Sequence, residues 1–185
     1  MIGGETTLAE GVLMRPVTPD DAHALARAHR RNRDHLAPWD PDRPDAFFTT
    51  EGQAERIQGQ LAEAAAGRAV HWVFVDSGEI VGHAALSNIV LGPARSAILG
   101  YWTDAEQTGR GLASAATRHA CEVADTRLGL HRVEASTLLH NTASQRVLVK
   151  CGFQEYGVAP KYLYINGAWR DQRLFQKVLN DRPAF

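Results

Sequence analysis

"QTGRGLASAA", residues Gln107–Ala116, sets two glycines one residue apart just ahead of a run of small, helix-forming side chains. A strand-to-helix turn would need those glycines only for their dihedral angles. A dinucleotide fingerprint would read G-x-G-x-x-G, but Ser114 holds its last position and only 57 residues follow Leu128, too few to complete a doubly wound sheet. A Walker loop fails because the closing G-K-[S/T] is absent. A further reading keeps the physics of those loops without their folds. Consecutive amides at a helix start, unscreened by side chains, can bind the diphosphate of a nucleotide-like cofactor. Ala113, Ala115 and Ala116 keep the first turn narrow, and Arg110 adds positive charge.

Composition narrows the classes. The chain has 185 residues, the size of one well-packed domain (1–185), and a formal net charge of −1. That charge provides no basic field for nucleic acid or an anionic membrane. No apolar run approaches a membrane span, and the N-terminus lacks the cationic and apolar stretches of a secretion signal, so a cytoplasmic protein is expected. Cys121 and Cys151 stand apart without a CxxC pattern and read as free, packed thiols. The eight histidines never take a metal-ligand spacing, so no metal site is expected.

Along the chain, residues 1–10 read as a disordered tail, followed by a short strand at Val12–Arg15. "TPDD" starts a helix running to about Arg33, with Leu25, His29, Asn32 and Leu36 on one side and Arg27, Arg30 and Arg31 on the other. The proline-rich "LAPWDPDRPDAFF" is loop, and a second helix spans Glu51–Ala66. The period then changes to that of a hairpin about Asp76-Ser77-Gly78, and a further strand runs from Ser96 to Thr103. Arg110–Arg127 is the most regular helix. "RVEASTLL" is a strand, Thr142–Lys150 a short helix, and Tyr162–Ile165 with Arg173–Val178 a closing hairpin about Asn166-Gly167.

With those elements in place, the chain resembles the GNAT superfamily of acetyl-CoA-dependent N-acyltransferases. Gln107, Gly109, Gly111 and Ala113 approximate its Q/R-x-x-G-x-G/A signature, with Thr108 standing where Gln or Arg often lies when the glycines are aligned. The second match is "NTASQRVLVKCGF", carrying Asn141, Ser144, Val147, Leu148, Lys150, Gly152 and Phe153 of a family segment. "NRDHLAPW" (Asn32–Trp39) and "YINGAWRDQRLF" (Tyr164–Phe175) look like the ribosomal-protein N-acetyltransferase (RimJ/RimL-like) branch. The resemblance implies one α+β domain. Its mixed, mostly antiparallel central sheet of about six to seven strands would be flanked by helices on both faces.

The resemblance also implies chemistry. Acetyl-CoA would lie where strands 96–103 and 133–139 part, its pantetheine along Tyr101, Trp102 and Thr103. Its diphosphate would rest on Gly109, Arg110, Gly111, Leu112 and Ala113. Ser144 is the candidate acid or hydrogen-bond donor to the leaving thiolate, and Asn141 caps its helix and touches pantetheine. A helix hydroxyl bonded to a carbonyl is an equal account of Ser144. The glutamate common before the Gly loop is replaced by Ile98, leaving Glu134, His140, Glu106 or water as substitute bases. That loss discriminates between acceptors. At pH 7 a lysine amine of pKa ~10.4 costs ~4.6 kcal/mol to deprotonate, whereas an α-amine near ~7.7–8.0 costs about 1 kcal/mol. The expected acceptor is therefore a protein N-terminus, with His29, Asn32, Trp39 and Tyr162 as candidate substrate contacts. A small-molecule amine, or a non-catalytic acyl-CoA-binding module, are the alternatives. A homodimer fits the pattern without being demanded by it.

Overall fold

The computed structural model describes residues 3–183. Its elements are β1 (Thr6–Ala9), β2 (Val12–Pro16), α1 (Ala22–Arg31), α2 (Arg33–Leu36), α3 (Thr50–Ala65), β3 (Val70–Asp76), β4 (Glu79–Val90) and β5 (Ser96–Thr103), then α4 (Leu112–Thr126), β6 (Arg132–Leu138), α5 (Thr142–Lys150), β7 (Gln154–Ile165) and β8 (Ala168–Val178). The strands form one sheet in the order β1-β2-β3-β4-β5-β6-β8-β7. Among the described residues the sheet has eight strands, not six to seven, and every pairing is antiparallel except β5 with β6.

The extra strand comes from the segment expected to be disordered. Thr6–Ala9 pairs with β2, and Gly3 just ahead of it accepts a 2.8 Å hydrogen bond from the buried Trp72 indole N–H. An indole donor taken out of water needs such a partner, and this one draws the chain's beginning onto the sheet. Met1 and Ile2 lie outside the described residues. The closing hairpin is also longer than its sequence pattern, because β7 runs through Pro160 on the sheet's edge, where no ladder bond from that nitrogen is needed.

Strand alternation sends neighbouring residues to opposite layers. Trp72 and Phe74 of β3 pack with Leu99, Val133 and the Leu112, Ala116 and Ala120 stripe of α4, together with Leu148 of α5 and Phe175 of β8. Val73 and Ile80 pack on the other face with Leu25 and Ala28 of α1 and Ile57 of α3. Helices thus cover both faces. Both cysteines are free and buried, and burial pushes the Cys121 thiol up to about 11.

The face under α1 and α3 carries an unusual polar row. The rings of His71 and His83 lie 5.6 Å apart, and His29 packs 5.1 Å from Trp102 and 4.6 Å from Phe47. Each of the three has a buried ring nitrogen without a partner. Burial, seconded by the nearby Arg56 guanidinium, lowers His29 to about 3 and His71 to about 4, and holds His83 well below its ordinary value. All three are neutral in the folded protein and protonate once unfolded. The unfolded chain therefore binds more protons below its own histidine pKa of about 6.5, and stability is lost as pH falls from there through the native values. Denaturant titrations across this range should show unfolding near pH 5 taking up about three protons, and a pH-independent stability between 6.5 and 4.5 would contradict the assignment.

Candidate active site

Strand β5 pairs with β6 only at Ser96–Arg132, Ala97–Val133 and Ile98–Glu134. Beyond that point β5 continues to Thr103 and β6 to Leu138, so the strands part and the facing edge of β5 lacks a sheet partner. Backbone groups there are free to pair with an extended ligand, as an added strand would. The opening is a cleft of about 430 Å³, walled by Tyr101, Trp102 and Thr103 of β5, by Gly109, Gly111, Leu112 and Ala113, and by Asn141, Ser144 and Val147. His35, Leu36, Trp39 and Asp40 close its far side.

At the loop, Gly109 and Gly111 have φ of +81° and +80°, a region that strains any L side chain. A Cβ added to either would meet nothing within 4 Å, so backbone conformation and not crowding demands glycine there. Gly111 is the N-cap of α4, and the first turn of that helix contains no acid. Unpaired amides and the positive end of the helix dipole therefore face the cleft, an arrangement suited to phosphate. Arg110 is the exception among the expected contacts. Its guanidinium donates to Asp76 at 3.0 Å, to the Glu10 carbonyl at 3.1 Å and to Gln107, and it does not line the cleft. The charge that sequence assigned to a phosphate is instead paired with the β3–β4 turn.

On the opposite wall, the Asn141 side chain caps α5 by accepting from the Ser144 amide at 3.1 Å. The Ser144 hydroxyl lies 2.9 Å from the Tyr101 hydroxyl, which also reaches the Ser144 carbonyl at 3.3 Å. Burial pushes Tyr101 up to about 12, keeping it a neutral donor. When the single Tyr101 proton goes to Ser144 Oγ and not to the Ser144 carbonyl, the serine proton is free for a group in the cleft.

A second cavity, about 220 Å³, adjoins the first and shares Leu36 and Asp40 with it. His29, Arg33, Asp42, Arg43, Phe47 and Phe48 contribute to its walls. Thus Trp39 lines the cleft, His29 lines the adjoining cavity, and the Trp39 ring sits 5.5 Å from His140. Three expected residues fall elsewhere. Glu134 is held 3.2 Å from Arg132 and 3.4 Å from the Tyr156 hydroxyl, away from the cleft walls. Tyr162 is exposed on β7 and lines neither cavity.

Asn32 is fully buried with its side chain committed: it donates to the Ala28 carbonyl at 2.9 Å and to Asp104 at 2.8 Å, and accepts from the Ala105 amide at 2.9 Å. It is a latch joining α1 to the chain entering the glycine loop. Its partner Asp104 escaped the sequence reading. Burial alone would raise that carboxyl, but Asn32, the Glu106 amide and Arg31 hold it below the usual carboxylate range. A cap signal was visible in Asp104 preceding Glu106, whereas nothing in sequence links it to Asn32, 72 positions away.

Residues 12–154 match the acetyltransferase (GNAT) domain family. The chain is 33% identical over 166 residues to the Escherichia coli [ribosomal protein uS5]-alanine N-acetyltransferase, covering 88% of this chain and 85% of that one. It superposes on the ribosomal-protein-S5-alanine acetyltransferase of Vibrio fischeri with a TM-score of 0.90 at 36% identity, over 94% and 96% of the two chains. Mycobacterium smegmatis RimJ, in complex with CoA-disulfide, superposes with a TM-score of 0.86 at 36% identity, over 90% of this chain and 81% of its own. The parted strands, the glycine loop that caps α4 and these likenesses agree: the chain belongs to the GNAT acetyltransferase family, in the branch of the ribosomal-protein N-acetyltransferases.

Proposed function

We propose that the protein transfers acetyl from acetyl-CoA to the α-amine at the N-terminus of a protein, by direct attack in a ternary complex. The observation that carries this reading is the meeting of two cavities at Leu36 and Asp40: one shaped by parted strands and a glycine loop, the other aromatic and lined by Asp40 and Asp42 with Arg33 and Arg43. The thioester end of the cofactor would occupy the first, near Tyr101 and Ser144, and the acceptor would enter through the second. Relatives of 33–36% identity are named for acetylating an alanine of a ribosomal protein, which supports a polypeptide acceptor. Ribosomal proteins are made in the cytoplasm, and that is the location this reading implies.

In the reaction the amine nitrogen bonds to the acetyl carbonyl carbon while the carbon–sulfur bond breaks and its electron pair leaves on sulfur. A β5 amide near Gly100 or Tyr101 would steady the oxyanion. Ser144, supported by the Tyr101 hydroxyl, would donate to the departing thiolate. The absence of a carboxylate at Ile98 favours an acceptor whose amine is already partly neutral at pH 7.

Arg110 serves this site as a brace. By tying the glycine loop to Asp76 and Glu10, it holds the amides in place before any phosphate arrives. Titration of coenzyme A by calorimetry distinguishes a brace from a latent phosphate ligand. Asp76→Asn should weaken binding roughly three- to tenfold, as should Arg110→Ala. Tighter binding by Asp76→Asn would mean that the freed guanidinium grips phosphate itself.

The activity reading is tested by thiol release from acetyl-CoA with peptides bearing a free N-terminus and with N-blocked peptides bearing lysine. At pH 7 the free N-terminus should be favoured in kcat/KM by roughly a hundredfold or more. Equal use of lysine, or turnover only with small amines, would refute the assigned acceptor. Ser144→Ala should lower kcat roughly ten- to a hundredfold while leaving the KM for acetyl-CoA within about twofold. Unchanged turnover would remove Ser144 from the chemistry.

A further inference from the structure

With Glu134 placed beside Arg132 and Ile98 standing where a carboxylate is common, the proton that nitrogen sheds must go to another group, and Asp40 is the carboxylate that lines the cleft. We propose that Asp40 is that catalytic base, an inference that rests on the acceptor reading above. Leu36 and Asp40 are the two residues common to both cavities, and only Asp40 of the pair can titrate. Its backbone is fixed, the amide donating to the Leu36 carbonyl at 3.1 Å at the end of α2. Among the described residues no hydrogen bond or ion pair reaches its carboxylate. A half-buried carboxylate without a paired partner is free to meet a cationic group that enters the cavity.

The groups facing Asp40 set its basicity. Arg43 from its own loop and Arg56 from α3 act on it by charge; His29 of α1, Arg33 and His35 of α2, and Asp42 share its cavities. Burial pulls the carboxyl above its ordinary value, and the two arginines only partly oppose this. Arg56 is itself lowered to about 10, chiefly by burial. A carboxylate raised in this way is, in its ionised form, a stronger proton acceptor than an ordinary one.

The α-ammonium first loses one proton to solvent, a step of about 1 kcal/mol at pH 7. The neutral amine then attacks the carbonyl carbon, and the nitrogen, now positive, gives a second proton to an Asp40 carboxylate oxygen. The carbon–sulfur pair departs as thiolate, which Ser144 hydrogen-bonds, and Asp40 returns its proton to solvent after the amide leaves.

Steady-state kinetics with a free-N-terminus peptide test this. Wild-type turnover on that peptide establishes the acceptor reading before Asp40 is touched, and its absence would sink both. Given turnover, Asp40→Asn should lower kcat about a hundredfold at pH 7, with coenzyme A affinity retained as evidence of an intact fold. Asp40→Glu should keep much of the lost activity. Formate should restore turnover of Asp40→Ala in a saturable manner that sodium chloride does not reproduce. A purely structural or anchoring residue would show no such rescue. Asp40→Asn within about twofold of wild type, a loss confined to acceptor KM, a kcat loss that formate leaves untouched, or a larger kcat loss in Glu134→Gln would each overturn the assignment.

Discussion

Two neighbouring strands that cease to bond partway along their length control the architecture of this protein. β5 and β6 keep three paired positions and then part, although both continue as strands for several residues. A sheet interior that gives up hydrogen bonds forfeits stability unless a ligand or solvent supplies them, so such a gap persists only where the surrounding core holds it. Here α4 and α5 supply that support. They share the core that includes Leu112, Leu148 and Phe175, while the Cys151 thiol and the Ser114 carbonyl, 3.4 Å apart, join α5 to α4. The opening is thus a consequence of packing on one face, and every group assigned to the chemistry is arranged around it.

The opposite face does different work. α1 reaches the glycine loop through the Asn32–Asp104 latch and the Arg31–Asp104 ion pair at 2.7 Å. This couples the helix bearing His29 to the turn that leads into the loop of Gly109 and Gly111. The walls of the two adjoining cavities are therefore held in one register, as the proposed transfer between them requires. The buried neutral histidines belong to the same layer. Their unpaired nitrogens lower stability in acid, and His29 presents a ring, not a charge, to the cavity it lines.

Much of this was legible beforehand because local rules decided it. Ser96–Thr103 and Thr142–Lys150 fall where their periodicity and caps place them, and Asn141 caps α5 as its position suggests. Gly109 and Gly111 adopt the left-handed dihedrals that their spacing foretells. Eight of the nine expected cofactor contacts line one cleft, since each lies on a strand edge, a helix start or a cap. Arg110 departs from the set because a long side chain is placed by its partners, and Asp76 and Glu10 are remote in sequence.

The acceptor side shows the opposite balance. Helical periodicity correctly set His29 and Asn32 on the inward side of α1, but inward is not the same as facing a substrate. Which buried polar group meets a cavity and which meets Asp104 depends on how α1 docks against a loop seventy residues later. Sequence by itself determined most of the elements and the glycine loop, because backbone preference and hydrophobic period act over a few residues, and its motifs carried the resemblance to the family. Only the tertiary structure decided that Thr6–Ala9 joins the sheet, that Glu134 is tied to Arg132 and that Asp40 lies where the two cavities meet. Those outcomes depend on contacts between distant segments, and no local pattern encodes the partner.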